Sequence, residues 1–71
     1  MSVWVQVNRI GDPAEGDRLL DAMEQETGVR GERDGDGRRY VFDDLADVGE
    51  ATDWLAARLG PGWQNHLEFV V

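Results

Sequence analysis

Seventy-one residues make one domain, residues 1–71, with room for a single thin core. The absence of cysteine excludes disulfide staples and thiolate metal sites and fits a reducing compartment, so a cytoplasmic location is expected. Fifteen acidic residues stand against seven basic ones, all arginine, for a net charge of −8. That balance speaks to solubility and association rather than to fold, and it disfavours nucleic acid as a partner. No apolar run approaches the roughly 18 residues of a membrane span, and the first strand opens at Ser2 with no signal-peptide pattern, so no membrane partner is expected.

Ser2 to Ile10 alternates strictly, with Val3, Val5 and Val7 on one side and Trp4, Gln6 and Asn8 on the other, as a half-buried strand does. Asp12-Pro13-Ala14-Glu15 opens a helix: Asp12 is the N-cap, Pro13 stands where its missing N–H is harmless, and Glu15 completes a capping box. The helix runs to about Thr27 on a stripe of Leu19, Leu20 and Met23, and Gly28 stops it.

Asp34-Gly35-Asp36-Gly37 holds two overlapping Asp-Gly pairs, which predicts a hairpin closed by a type I′ turn. A loop of two residues, at 34–35 or 36–37, or of all four sets an odd residue opposite an even one. Val29, Tyr40 and Phe42 then face the core, and Arg30, Glu32, Arg39 and Val41 face away.

Asp44 and Asp47 are rival N-caps for a second helix, the latter with Glu50 at the capping-box position. Val48, Ala51, Leu55 and Leu59 form its apolar face, with Trp54 near the edge, and Gly60-Pro61-Gly62 ends it. From Trp63 to Val71 the chain alternates again, placing Leu67, Phe69 and Val71 inward and His66, Glu68 and Val70 outward.

The order β-α-β-β-α-β predicts an α+β, ferredoxin-like sandwich: a four-stranded antiparallel sheet in the order 4-1-3-2 with both helices on one face. Gly16 and Gly49, inside the helical patterns, are expected to allow close packing of helix on sheet at the cost of helix propensity.

On this arrangement the helix-free sheet face presents Trp4, Gln6, Arg30, Arg39, Val41, His66 and Glu68. An exposed tryptophan among valine and arginine has the composition of an interface. A small non-enzymatic protein-interaction domain follows, either a homodimer or bound to a protein partner through that face.

The alternative is an acidic inhibitor or immunity-type protein, a possible nucleic-acid mimic, acting through Asp17, Asp21, Glu24, Asp47, Glu50 and Asp53 on the helices. The two helical segments carry eleven acids and two arginines, the remainder four acids and five arginines. A third reading makes the chain a small enzyme with His66 as proton shuttle, Glu68 as its orienting carboxylate and Arg39 as an anion clamp. No phosphate loop, nucleophile elbow or metal triad accompanies them, and Asn8 to Asp12 departs from the glycine-rich anion loop of acylphosphatases, so no catalytic residue is expected.

RNA binding would need Trp4 together with Tyr40 or Phe42 as stacking platforms, and the hairpin register turns the latter two inward. Glu32, Asp34, Asp36, Gly37 and Asp43 fall at positions of a calcium-binding loop, but Arg39 occupies an apolar position of that motif and the flanks are strands. No metal or other cofactor is expected.

Overall fold

Alternating valines produce one of the two central strands of the sheet, and Arg9 at its end ties the first helix to it through Asp17. The computed structural model describes residues 2–70. Strand β1 (Val3–Arg9) leads into helix α1 (Pro13–Thr27); β2 (Glu32–Asp34) and β3 (Gly37–Phe42) form the hairpin; helix α2 (Val48–Leu59) is followed by a 3₁₀ turn at Trp63–Asn65 and by β4 (Leu67–Val70). The four strands pair antiparallel in the order β2-β3-β1-β4, the expected order read from the other edge. Val5, Val7, Tyr40, Phe42 and Leu67 from the sheet are buried with Leu20 and Met23 of α1 and Ala51, Leu55 and Leu59 of α2 in one core. Both helices therefore cover the same sheet face. Val71, expected inward on the last strand, lies outside the described residues. Among the described residues no helix is long and apolar enough to cross a membrane.

The helix starts follow the predicted caps, with one change of partner at each. Asp12 Oδ1 accepts from Ala14 N at 3.0 Å, but the Glu15 carboxylate reaches forward to Arg18 rather than back to the cap. Asp47, not Asp44, caps α2: its Oδ1 accepts from Glu50 N at 2.8 Å, while Glu50 Oε2 accepts from Ala46 N, one residue before the cap. Gly28 ends α1 in the left-handed region at φ 79°, its N–H donating to Glu24 O.

Hairpin parity is as expected, with Glu32 opposite Arg39 and Arg33 opposite Arg38, but the turn is not the predicted one. Asp34 pairs with Gly37, so Gly35 and Asp36 form the loop, and Gly35 alone has positive φ, at 60°. Glycine at the first central position is the mark of a type II′ turn. The second strand is also shorter than the pattern implied. Val29 packs against the core without joining a strand, and Arg30 precedes β2 rather than lying on the sheet face.

The final strand begins at Leu67, four residues later than the alternation predicts. Gly62, at φ 83°, turns the chain into the 3₁₀ segment, and Trp63 stacks on Phe69 with ring centroids 4.6 Å apart. Folding Trp63 back over the strand takes Gln64, Asn65 and His66 out of the sheet.

The two helical glycines behave differently. A Cβ on Gly16 would come within 2.9 Å of Arg9 Cγ, 3.1 Å of His66 O and 3.2 Å of Leu67 Cδ2, so the missing side chain sets how closely α1 meets β1 and β4. At Gly49 the nearest obstacle is Asp47 Oδ1 at 3.3 Å, on an exposed side chain. In thermal or urea unfolding, Gly16→Ala is expected to lose about 1–3 kcal/mol by overpacking. Gly49→Ala should lose less than Gly16→Ala, because roughly 0.5–1 kcal/mol of helix propensity offsets the crowding of the Asp47 cap oxygen. Equal changes in both variants would contradict the packing role of Gly16.

Candidate functional site

Alternation puts Arg38 on the inner side of β3, next to Tyr40 and against α1. Carboxylates at positions 17, 21 and 24 lie on one stripe of that helix, spaced i, i+4, i+7. The result is a cluster in the layer between helix and sheet. Arg38 Nη1 donates to Glu24 Oε2 at 2.7 Å, and Nη2 lies 2.8 Å from Asp21 Oδ1 and 3.3 Å from Asp17 Oδ1. Tyr40 OH donates to the same Glu24 Oε2 at 2.7 Å. Arg9 Nη1 reaches the other oxygen of Asp17 at 3.0 Å.

Arg38 and Glu24 are both buried, with residue exposures of 6% and 7%. Burial opposes the charge of Arg38, but hydrogen bonds to Glu24 and Asp21 outweigh it and hold the guanidinium more firmly protonated than usual. Burial, and then the hydrogen bond to Glu24, push the Tyr40 phenol well above its ordinary range, with Arg38 pulling weakly the other way. Arg38 Nε is buried without a partner among the described residues. With both Nη groups of Arg38 paired to carboxylates of α1, the cluster ties helix to sheet.

The opposite sheet face is open. In register across the strands stand Val41 beside Trp4; Glu32, Arg39, Gln6 and Val70 in the next row; and Asp34, Gly37, Asn8 and Glu68 beyond. Trp4, Val41 and Val70 are the large apolar residues left out, at 52%, 53% and 44% exposure. A trough of about 490 Å³ runs over this face from the Asp34–Asp36 turn across Asn8 and Gln6 to Trp4 and Val70. Its walls are pre-set: Gln6 Nε2 donates to Asp34 O at 2.9 Å and to Asn8 Oδ1 at 3.0 Å. Arg39 sits over the Trp4 ring, 4.6 Å from its centroid, while Nη2 pairs with Asp34 Oδ2 at 2.8 Å.

Of the residues expected on this face, Trp4, Gln6, Arg39, Val41 and Glu68 stand together on it, and Trp4, Gln6 and Arg39 line the trough. Arg30 and His66 do not join them. His66 closes the 3₁₀ turn, its carbonyl accepts from Ile10 N at 2.8 Å, and its Nδ1 is buried without a partner among the described residues. It lies toward the start of α1, where the Glu15 carboxyl is held below its ordinary value by the hydrogen bond from Arg18 and, to a smaller extent, by His66. The expected grouping of His66, Glu68 and Arg39 is therefore not formed: the 3₁₀ turn removes the histidine from the alternating strand.

The acidic helix set is also engaged. Asp17, Asp21 and Glu24 surround Arg38, Asp47 caps α2, and Glu50 receives the Ala46 amide.

Sequence reasoning missed Arg38 and the trough residues Asp34 and Asp36. Arg38 was identifiable from its parity with Tyr40 and Phe42, and Asp34 from sharing the parity of Glu32. Compared with models of protein families, with curated proteins and with solved structures, the chain finds no match.

The phenol of Tyr40 gives this cluster a pH signature. A group whose pKa is raised on folding contributes stability that is complete below its unfolded value and is lost as pH rises through the folded one. Tyrosinate absorbance from the single tyrosine should therefore be absent from the folded chain at about pH 10 and emerge together with alkaline unfolding. Tyr40→Phe should remove that alkaline loss and cost about 1–2 kcal/mol at neutral pH through the missing bond to Glu24. Reversible ionisation near pH 10 with the fold intact would contradict the buried position.

Proposed function

We propose that this chain is a non-enzymatic protein-interaction domain of the ferredoxin-like class, acting in the cytoplasm through the helix-free face of its sheet. The observation that carries this reading is the exposed group of Trp4, Val41 and Val70 on adjacent strands, two of which line the trough. Leaving an indole wet on a central strand of a small domain forgoes burial that the fold could otherwise use, and patches of this kind mark contact surfaces. Arg39 holds the indole in place, so binding would forfeit little side-chain freedom there.

The acidic-inhibitor reading draws less support from the geometry, because five of its six carboxylates already have partners inside the fold. A base-stacking platform is likewise incomplete, since Tyr40 and Phe42 are buried in the core.

The test compares two surface variants that leave the core alone. Trp4→Ala with Arg39→Glu alters the open face, and Glu26→Lys with Asp53→Lys reverses exposed charge on the helices. Self-association is measured by sedimentation equilibrium up to millimolar concentration, and peptide binding by selection from a displayed library. The reading predicts that whatever association is found disappears with the first pair and survives the second. Association that follows the helix charges, or no association that depends on Trp4 in either assay, would contradict it.

A further inference from the structure

Building on that reading, we infer that the trough takes an extended, basic segment of another protein, with a cationic side chain at the hairpin end and an apolar one at the Trp4 end. The first argument is charge. Register places Glu32, Asp34 and Glu68 on this face with Asp36 at its turn; of the guanidiniums near them, Arg39 is paired with Asp34, Arg9 is held by the Asp36 carbonyl and the Asp17 carboxylate, and Arg33 borders Glu32 at the sheet edge. A second copy of the chain would bring the same excess of carboxylates against it, on top of a net charge of −8 for each molecule. A basic partner is attracted by both.

The second argument is shape. From Asn8 to Trp4 the trough follows β1 for four residues, about 13 Å, which equals the rise of four residues of an extended chain. Side chains two apart on such a segment face the sheet together, so residues i, i+2 and i+4 would lie over the Asp34–Asp36 turn, Gln6 and Trp4. Sites for small molecules enclose most of the ligand's surface, whereas this trough is open along its length and lets a chain run out at either end.

The third argument is the gradient of chemistry along it. Carboxylates and the Asn8 amide lie at one end, and Trp4 with Val70 lies at the other, so the trough reads polarity as well as charge. The indole is fixed by Arg39 and the floor by the Gln6 hydrogen bonds, so both ends are set before a partner arrives.

The probe is acetyl-Arg-Arg-Ser-Thr-Ser-Leu-Leu-amide, titrated to millimolar concentration into the full-length ¹⁵N-labelled chain, with its Arg-to-Glu counterpart as control. Shifts confined to the Trp4 indole and the amides of Gln6, Asn8, Gly35 and Val70, weakened by salt and absent with the control, are expected. Asp36→Asn should reduce the affinity about two- to fivefold, the effect of neutralising one exposed charge pair. The fold uses Asp36 through its carbonyl, which accepts from Arg9 N and Nε, and the amide variant retains that carbonyl. Shifts spread over the outer surfaces of α1 and α2, or an equal response to the acidic control, would overturn the inference. If the peptide gives no shifts while self-association dependent on Trp4 is observed, the basic segment is refuted and the interaction face stands. If neither occurs, both fall.

Discussion

A guanidinium buried between helix and sheet is the constraint on which the rest of this molecule depends. Desolvating Arg38 costs several kcal/mol, and removing one partner of such a buried pair costs about 3–5 kcal/mol because it leaves a charge unmatched. The chain meets that demand with Glu24, Asp21 and Asp17 at once, and Tyr40 shares the Glu24 oxygen. These contacts fix several things together. They set the rotation of α1 about its axis, since the carboxylate stripe must face β3. They also set the register of β3, since a slip of one residue would turn Arg38, Tyr40 and Phe42 to the open face. Arg9 extends the same logic to β1 through Asp17, next to Gly16, where the helix comes closest to the sheet.

This internal pairing changes what the acidity means. A count of charges by segment suggests a helix layer bristling with carboxylates, yet two arginines of the sheet are spent on α1 and two acids of the second segment manage the start of α2. The open face keeps acids at its hairpin end and an indole at the other, with Arg39 between them bound to both. One sheet therefore does two jobs by alternation alone: inward arginines bind helix to sheet, and the outward arginine orders Trp4 and Asp34 on the open face.

The alternation of β1, the cap at Asp12, the stop at Gly28 and the even hairpin loop were legible in the sequence because each is local, whereas Asp44 and Asp47 stood as rival caps until the fold chose Asp47. The core was legible as well, since parity places Val5, Val7, Tyr40 and Phe42 together without knowledge of their partners. Arg38 was hidden by its type: an arginine at an inward position conflicts with hydrophobic patterning, and only its match to a carboxylate stripe fourteen to twenty-one residues away makes the position tolerable. The end of the chain misled for a similar reason. Trp63 to Val70 alternates, but stacking of Trp63 on Phe69 competes with extension and wins, which carries His66 away from the face where Glu68 remains. At the turn, two Asp-Gly pairs offered rival type I′ loops, and the ladder chose the glycine between the two aspartates.

The measurement that bears most directly on this account is side-chain NMR of the seven arginines, following their guanidinium protons at neutral pH. The account predicts that Arg38 alone shows resolved Nη protons in slow exchange with water, with restricted rotation about its Cζ–Nε bond and dipolar contacts to the Tyr40 ring. Seven arginines exchanging alike at solvent rates would contradict it, and with it the claim that Arg38 is locked between α1 and the sheet.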